Sequence, residues 1–367
     1  MTQLKVATAA SPAGLGYAMP AEWEPHAATW LAWPHHEADW PGKMEAIRWV
    51  YGEMVHKISP GETVRLLVRY QAEKESAASH LKWAGCDLKS VQFIVHPTNR
   101  SWMRDSGPVF LKRKTTNTEH RTSNAETAIV HLHFNAWAKD NHWRKDRKIP
   151  EMAAGLLRKK LFRASHGGKP FILEGGGIEV NGRGTLLTTE ECYLHPTIQV
   201  RNPGMTRAQY DETFQKYLGV TNPLWLLKGP AGDDTHGHVD DICRFVNRKT
   251  IVLIRETNPR DINYRPLAEN WERARDFRLE DGSRPVIVPL PMPAPLCFAG
   301  RRLPASYANF YIANACVIVP TFNDPKDRVA LGILGELFRD RPVVGIHAVD
   351  LVLGSGSLHC LTQQQPA

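Results

Sequence analysis

Four short segments carry more chemistry than a fold alone requires. In Gly232-Asp233-Asp234-Thr235-His236-Gly237-His238-Val239-Asp240-Asp241, four carboxylates and two imidazoles fall within nine residues. Such a set does not belong in an apolar core. It suits either proton transfer by a histidine among carboxylates or an H-x-H-x-D zinc centre built on His236, His238 and Asp240, with His347 and His359 as further ligands. The plain alternative is a solvated acidic loop. The second segment is Gly354-Ser355-Gly356-Ser357-Leu358-His359-Cys360. Small residues before a cysteine let backbone amides approach its sulfur, and a thiolate nucleophile needs a histidine from elsewhere in the chain, for which His238 is the candidate. The third, Asn99 to Pro108, holds Trp102, Arg104 and Asp105 directly after a strand-like run; its plain reading is a turn with an Arg–Asp pair. The fourth, Leu173-Glu174-Gly175-Gly176-Gly177, ends an apolar run on a glutamate beside three glycines, without the Lys-Ser/Thr ending of a phosphate loop.

These segments need elements to hold them. Helical spacing of Met44, Ile47, Tyr51 and Met54 predicts a helix over 38–57, closed by Ser59-Pro60-Gly61. Then follow a strand over 63–70, a polar helix ending near Gly85 and a strand over 91–97. Strand, helix, strand recurs at 250–256, 266–277 and 285–290, and again at 316–320, 325–339 and 342–348. The last helix has Asp324 to cap it, Pro325 at its first position and a stripe of Val329, Ala330, Ile333, Leu334, Leu337 and Phe338. Asn181-Gly182 reads as a hairpin turn, 112–125 as a polar exposed loop, and Pro289 to Pro295 as a stiff loop. No linker divides the chain, so a single α/β catalytic body over 1–367 is expected, with a short flexible N-terminus over about 1–16.

The 367 residues are 42% hydrophobic and 23% charged, which excludes wholesale disorder. No apolar run is long enough for a membrane span, and the N-terminus does not read as a secretory signal, so a cytoplasmic location is expected. The cysteines are Cys86, Cys192, Cys243, Cys297, Cys316 and Cys360, with no C-x-x-C pair. A free cysteine is most often an inert core thiol; Cys360 is set apart by its loop. The net charge of +8 is concentrated in 139–163, where nine Lys/Arg face three acids. A solvated face explains such a run, and no nucleic-acid-binding signature accompanies it.

Longer blocks in a fixed order carry a resemblance. They are Met19 to His26, Trp30 to Pro34, Trp102 to Pro108, Phe134 to Trp137 and Glu174 to Gly176. They continue with Thr185 to Cys192, Gly232 to Thr235, Gly237 to Asp240, Leu303 to Tyr307, Asn309 to Asn314 and His359 to Gln364. Together they make the chain similar to the agmatine deiminase family, within the guanidine-modifying group that includes bacterial peptidyl-arginine deiminases. Three positions depart from the family pattern: Ser355 replaces the middle glycine of a triplet, His236 stands where many members have aspartate, and Cys243 where alanine is more usual.

The resemblance implies an α/β fold, a five-bladed propeller (pentein) with pseudo-fivefold symmetry. It implies hydrolysis of agmatine to N-carbamoylputrescine and ammonia, a step toward putrescine, without metal or cofactor. Cys360 would be the nucleophile, His238 the proton carrier and Glu174 its partner, with Asp105 and Asp240 clamping the guanidinium. Trp102, Asp233 and Asp234 would line the substrate's tail. Paired carboxylates match a planar five-donor cation, which supports the clamp on chemical grounds. The partner expected is a small guanidinium compound, with no nucleic acid or membrane, and the assembly a homo-oligomer such as a dimer. Arginine or peptidyl-arginine deimination is the near alternative. Metal-dependent hydrolysis through the H-x-H-x-D segment is the alternative of another class, and a non-catalytic basic binding protein has no use for the catalytic set.

Overall fold

The computed structural model describes residues 11–113 and 126–367. The chain builds a mixed α/β structure in which one pattern recurs in five sheets. A first strand pairs antiparallel with a second, and a third lies parallel to the second after a helical crossover. The first sheet takes Gln363–Pro366, His26–Ala32 and Thr63–Val68, with helix Met44–Ile58 as crossover. The second takes Val109–Arg113, Glu126–His131 and Leu161–Arg163 around helix Ile149–Leu157. The third takes Glu179–Val180, Thr185–Thr189 and Asn222–Leu226 around helix Arg207–Leu218. The fourth takes Cys243–Asn247, Thr250–Arg255 and Val286–Pro291 around helix Tyr264–Ala274. The fifth takes Tyr311–Ile312, Val317–Thr321 and Val343–His347 around helix Lys326–Leu337.

Parallel neighbours require a long crossover, and an amphipathic helix supplies it. The middle strands of the fourth and fifth sheets are flanked on both sides and read as near-continuous apolar runs, with Ile251 to Ile254 and Val317 to Val319 all buried. The run over 63–97 differs from the expected repeat. Its helix, Gln71–Trp83, leads to Val91–Val95, an additional parallel strand beyond the first sheet's shared pattern. The C-terminal strand pairs Gln363 with Trp30 and Pro366 with His26, tying the two ends of the chain into one sheet.

Several local expectations are corrected. Residues 289–291 are not loop but the end of strand Val286–Pro291, at the edge of its sheet where a missing N–H costs little. Val329 leaves the expected stripe and is exposed, while Ala330, Leu334 and Phe338 are buried. The turn after Val180 spans Asn181 to Gly184, and the Asn181 side chain accepts N–H bonds from Arg183 and Thr185. Residues 11–16 include the short helical turn Ala13–Leu15, and Leu15 packs on the core; residues 1–10 of the expected flexible N-terminus and 114–125 of the expected loop lie outside the described residues. Among the described residues, no helix is long and apolar enough to cross a membrane.

Candidate active site

Each sheet is entered through a segment that carries functional side chains. Asp105 lies in the single turn Met103–Ser106, shortly before Val109; Glu174 precedes the turn Gly175–Gly177 and Glu179; Asp240 lies in the turn Val239–Asp241, before Cys243. Asn309 precedes Tyr311, and Cys360 lies in the turn Leu358–Leu361, before Gln363. The recurring connectivity brings these five segments together.

Cys360 Sγ is buried at the base of a cleft lined by Arg100, Trp102, Asp105, Trp137, Asp234 and Thr235, with the loop Gly354 to Gly356 on one side. Asn309 Nδ2 donates to the sulfur at 3.1 Å, and Asp240 Oδ2 lies 3.7 Å from it. Gly356 has to be small: a Cβ there would sit 3.2 Å from Sγ and 2.8 Å from the Trp102 ring. Asp105 accepts from Trp137 Nε1 at 2.8 Å and from the Gly176 N–H at 3.1 Å. Gly176 marks where the carboxylates and the imidazole converge, since a Cβ would fall 2.5 Å from His238 Nδ1, 2.9 Å from Asp105 Oδ1 and 3.1 Å from Asp240 Oδ2. Asp240 Oδ1 is buried and has no partner among the described residues, so it is free to accept from a cation.

His238 is fully buried, with Nδ1 3.8 Å from Asp105 and Nε2 3.7 Å from Glu174. Burial alone would discharge the ring, but Asp105, Cys192 and Glu174 outweigh it and hold the histidine protonated, well above its usual range. Burial also opposes ionisation of Glu174. The Arg201 guanidinium, whose Nε reaches both carboxylate oxygens at 3.1 and 3.2 Å, nevertheless holds that carboxyl below its ordinary value. Asp105 is pushed up to about 6 by burial and by the nearby carboxylates. Burial, then Asp240, Asp241 and Asp105, push the Cys360 thiol well above the ordinary thiol range.

A charged layer supports the cleft from below. His359 Nδ1 bonds Asp240 at 2.6 Å and its Nε2 bonds Glu22 at 2.8 Å. Glu22 also accepts from Arg104 at 3.0 Å and Arg244 at 2.8 Å. Burial disfavours its charge, yet Arg244, His359 and Arg104 hold its carboxyl well below the ordinary range. Buried charges in this number are tolerable only when paired this fully. Trp137 is placed by an unusual backbone: Ala136, Trp137 and Ala138 all have left-handed φ values of 53°, 58° and 55°. That conformation costs roughly 1–2 kcal/mol per residue, offset by the Asn135 side chain, which accepts from Ala138 N–H, and by the indole bond to Asp105.

The family model for Porphyromonas-type peptidyl-arginine deiminases matches residues 18–366. The chain belongs to that family. Among curated relatives of this family member, it is 34% identical over 385 residues to an agmatine deiminase of Medicago truncatula, covering 97% of this chain and 98% of the relative. It is 30% identical over 380 residues to one of Pseudomonas aeruginosa, covering 97% of each chain. Its structure is similar to the agmatine deiminase of Enterococcus faecalis, with a TM-score of 0.84 at 26% identity and 97% of each chain covered. It is also similar to a substrate-bound agmatine deiminase of C. jejuni, with a TM-score of 0.81 at 28% identity and 96% of each chain covered.

In this deiminase-family chain the structure gathers Cys360, His238, Glu174, Asp105 and Asp240 in one place, with Trp102 and Asp234 on the cleft wall. Asp233 is the exception among the expected residues. Its oxygens accept from Thr235 N–H and hydroxyl and from the N–H groups of Gly237 and His238, so it shapes the loop that aims His238 and has no oxygen left for a substrate tail. Asp234 pairs with Lys139 at 2.6 Å, which brings one end of the basic 139–163 segment to the site, so the run is more than a solvated face. His236 turns toward Glu191 and stacks edge-on against His195, and His347 lies exposed on strand Val343–His347, so the H-x-H-x-D donors do not converge. Asn309, Trp137, Arg201 and Glu22 are the functional residues that residue types alone did not single out. Three of them lie inside the quoted sequence blocks; Arg201 lies in none.

Proposed function

We propose that this protein hydrolyses agmatine to N-carbamoylputrescine and ammonia through a covalent adduct on Cys360. One observation carries the reading: a buried thiol 3.7 Å from Asp240 shares its cleft with Asp105, whose carboxylate stands 3.8 Å from the buried His238 ring. A guanidinium is a planar fork of N–H donors, and the unpartnered Asp240 Oδ1 and the Asp105 carboxylate are placed to accept from it. Its charge offsets the carboxylates that keep the thiol protonated, so as the cation binds the thiol gives its proton to solvent and the thiolate forms. The sulfur adds to the guanidino carbon, and the Asn309 N–H supports the charge on the sulfur before attack. His238 protonates the departing nitrogen, which leaves as ammonia. Glu174, fixed as a carboxylate by Arg201, holds His238 charged for that step. Water then adds to the thiouronium carbon, His238 takes its proton, and the ureido product leaves with the thiol restored.

The same reading treats the chain as one catalytic domain and its fold as a five-bladed α/β propeller of the pentein type; five sheets of shared connectivity, each entered through a site segment, support it. The tail of agmatine would lie between Trp102, Trp137 and Asp234. A cytoplasmic location is supported by cysteines that are all free among the described residues. One observation favours arginine or peptidyl-arginine as substrate instead: Arg100 lines the cleft. It is already held by Asp39 and Asp140, which leaves its charge compensated. Ureido product and ammonia measured in parallel from agmatine, arginine and a peptidyl-arginine decide between them. The expected outcome is a kcat/KM for agmatine far above the other two. A ratio at or below one overturns the assignment.

A further inference from the structure

We propose that Glu174, Cys192 and His238 form a binding site for a soft divalent cation, zinc above all, and that its occupation silences the enzyme. One donor atom from each residue lies within 4.8 Å of the other two, and all three residues are buried. Neither ring nitrogen of His238 has a hydrogen-bond partner among the described residues, although the ring is fully buried. The mechanism gives Cys192 no contact with substrate; beside His238 it only helps to keep that ring charged. Its placement is nevertheless tight: Thr189 Oγ1 accepts from Cys192 N–H at 3.1 Å and donates to the Gly237 carbonyl at 2.5 Å, so one hydroxyl holds both the helix bearing Cys192 and the residue before His238.

Sulfur, imidazole nitrogen and carboxylate oxygen are the donors zinc prefers, and three protein ligands with water in the fourth position is an ordinary arrangement. Bonds of about 2.0–2.3 Å place the donors of a tetrahedral zinc roughly 3.3–3.7 Å apart. Glu174 Oε2 and His238 Nε2 already stand at 3.7 Å, and the thiol lies within 4.8 Å of both residues' donor atoms. The Arg201 guanidinium opposes a cation there, while Glu174, the neighbouring Asp105 and the thiolate formed on binding favour it. Two protons are released to solvent as the metal binds, one from the Cys192 thiol and one from the His238 ring nitrogen that takes the metal. Once a ring nitrogen of His238 carries the metal, it cannot carry the proton that ammonia needs. That effect on turnover rests on the function proposed above; the binding itself does not.

The test uses the full chain and two readouts. Cobalt(II) is added to Cys360→Ala, which removes the thiol of the cleft, and the near-ultraviolet thiolate-to-cobalt absorption is recorded. The band is expected to appear, to be displaced by zinc, and to vanish in Cys360→Ala with Cys192→Ser. On otherwise native protein, zinc is expected to inhibit agmatine hydrolysis and a chelator to restore it, with at least about tenfold more zinc needed for half-inhibition of Cys192→Ser. Absence of the band in Cys360→Ala, its persistence without Cys192, or an unchanged half-inhibiting zinc concentration in Cys192→Ser overturns the site. A protein that shows the cobalt band yet leaves agmatine untouched refutes the proposed activity and keeps the site.

Discussion

Asn309 offers a sharp test because its two side-chain atoms do different work. Nδ2 donates to Cys360 Sγ at 3.1 Å and to Asp241 Oδ1 at 3.0 Å, while Oδ1 accepts from Ser357 Oγ at 2.8 Å and from His359 N–H at 3.0 Å. Asn309→Asp keeps the shape and the accepting oxygen and replaces only the donor. A hydrogen bond to a charged group contributes about 1.5–3 kcal/mol, so losing the one to the thiolate should lower kcat/KM by roughly 10- to 150-fold. If the new carboxyl ionises, a negative charge 3.1 Å from sulfur adds about 5 kcal/mol of repulsion at an effective dielectric of about 20. Either way the thiol should titrate at higher pH. The assay is the rate of inactivation by iodoacetamide across pH, alongside agmatine kinetics and a thermal melt. The expected result is an alkylation profile moved to the alkaline side with kcat/KM depressed. An alkylation profile and a kcat/KM both within twofold of native, in a folded variant, would refute the role given to this amide.

Asp105, pushed up to about 6 in the free enzyme, must be ionised to hold a cation. Protonation below that value should therefore reduce kcat/KM about tenfold per pH unit, and a profile flat down to pH ~5 contradicts the clamp. Ser355 has a left-handed φ of 68°, where the family's usual glycine is unstrained. Relief of roughly 1–2 kcal/mol, less the entropy cost of glycine, predicts that Ser355→Gly raises stability by about 0.5–1 kcal/mol in denaturant titrations. Arg201→Gln leaves the buried Glu174 carboxylate without its cation and should destabilise by about 3–5 kcal/mol. Adding Glu174→Gln should recover part of that loss, and strict additivity of the two changes would deny the pairing.

How far the residues themselves spoke depends on how their partners are spaced. Cys360, His238, Glu174, Asp105 and Asp240 stood out because each sits in a short segment whose composition a fold alone does not require, while the parts given to them came with the family resemblance. The fourth and fifth sheets were legible too, since their middle strands are uninterrupted apolar runs. The second was not, and of the third only the hairpin at Asn181-Gly182 was. Thr185–Thr189 mixes threonine with leucine, the strand Glu179–Val180 is two residues long, and helix Arg207–Leu218 has a weak stripe. The orientation of neighbours was equally hidden. Asp233 and Asp234 are adjacent, yet one folds back onto its own loop and the other faces the cleft, because the turn runs through Gly232 and Gly237 at φ of 94° and 92°.

The sequence by itself determined the chemical inventory and the local segments that display it, because residue type and short-range spacing are properties of the chain alone. Only the tertiary structure decided which groups act together. Asn309 reaches Cys360 across 51 residues, Arg201 reaches Glu174 across 27, and Glu22 reaches His359 across 337. Asparagine, arginine and glutamate are ordinary residues anywhere in a chain. Their roles, and the charge states of Cys360, His238 and Asp105, arise when folding strips water from several ionisable groups at once and makes each one's proton depend on the others.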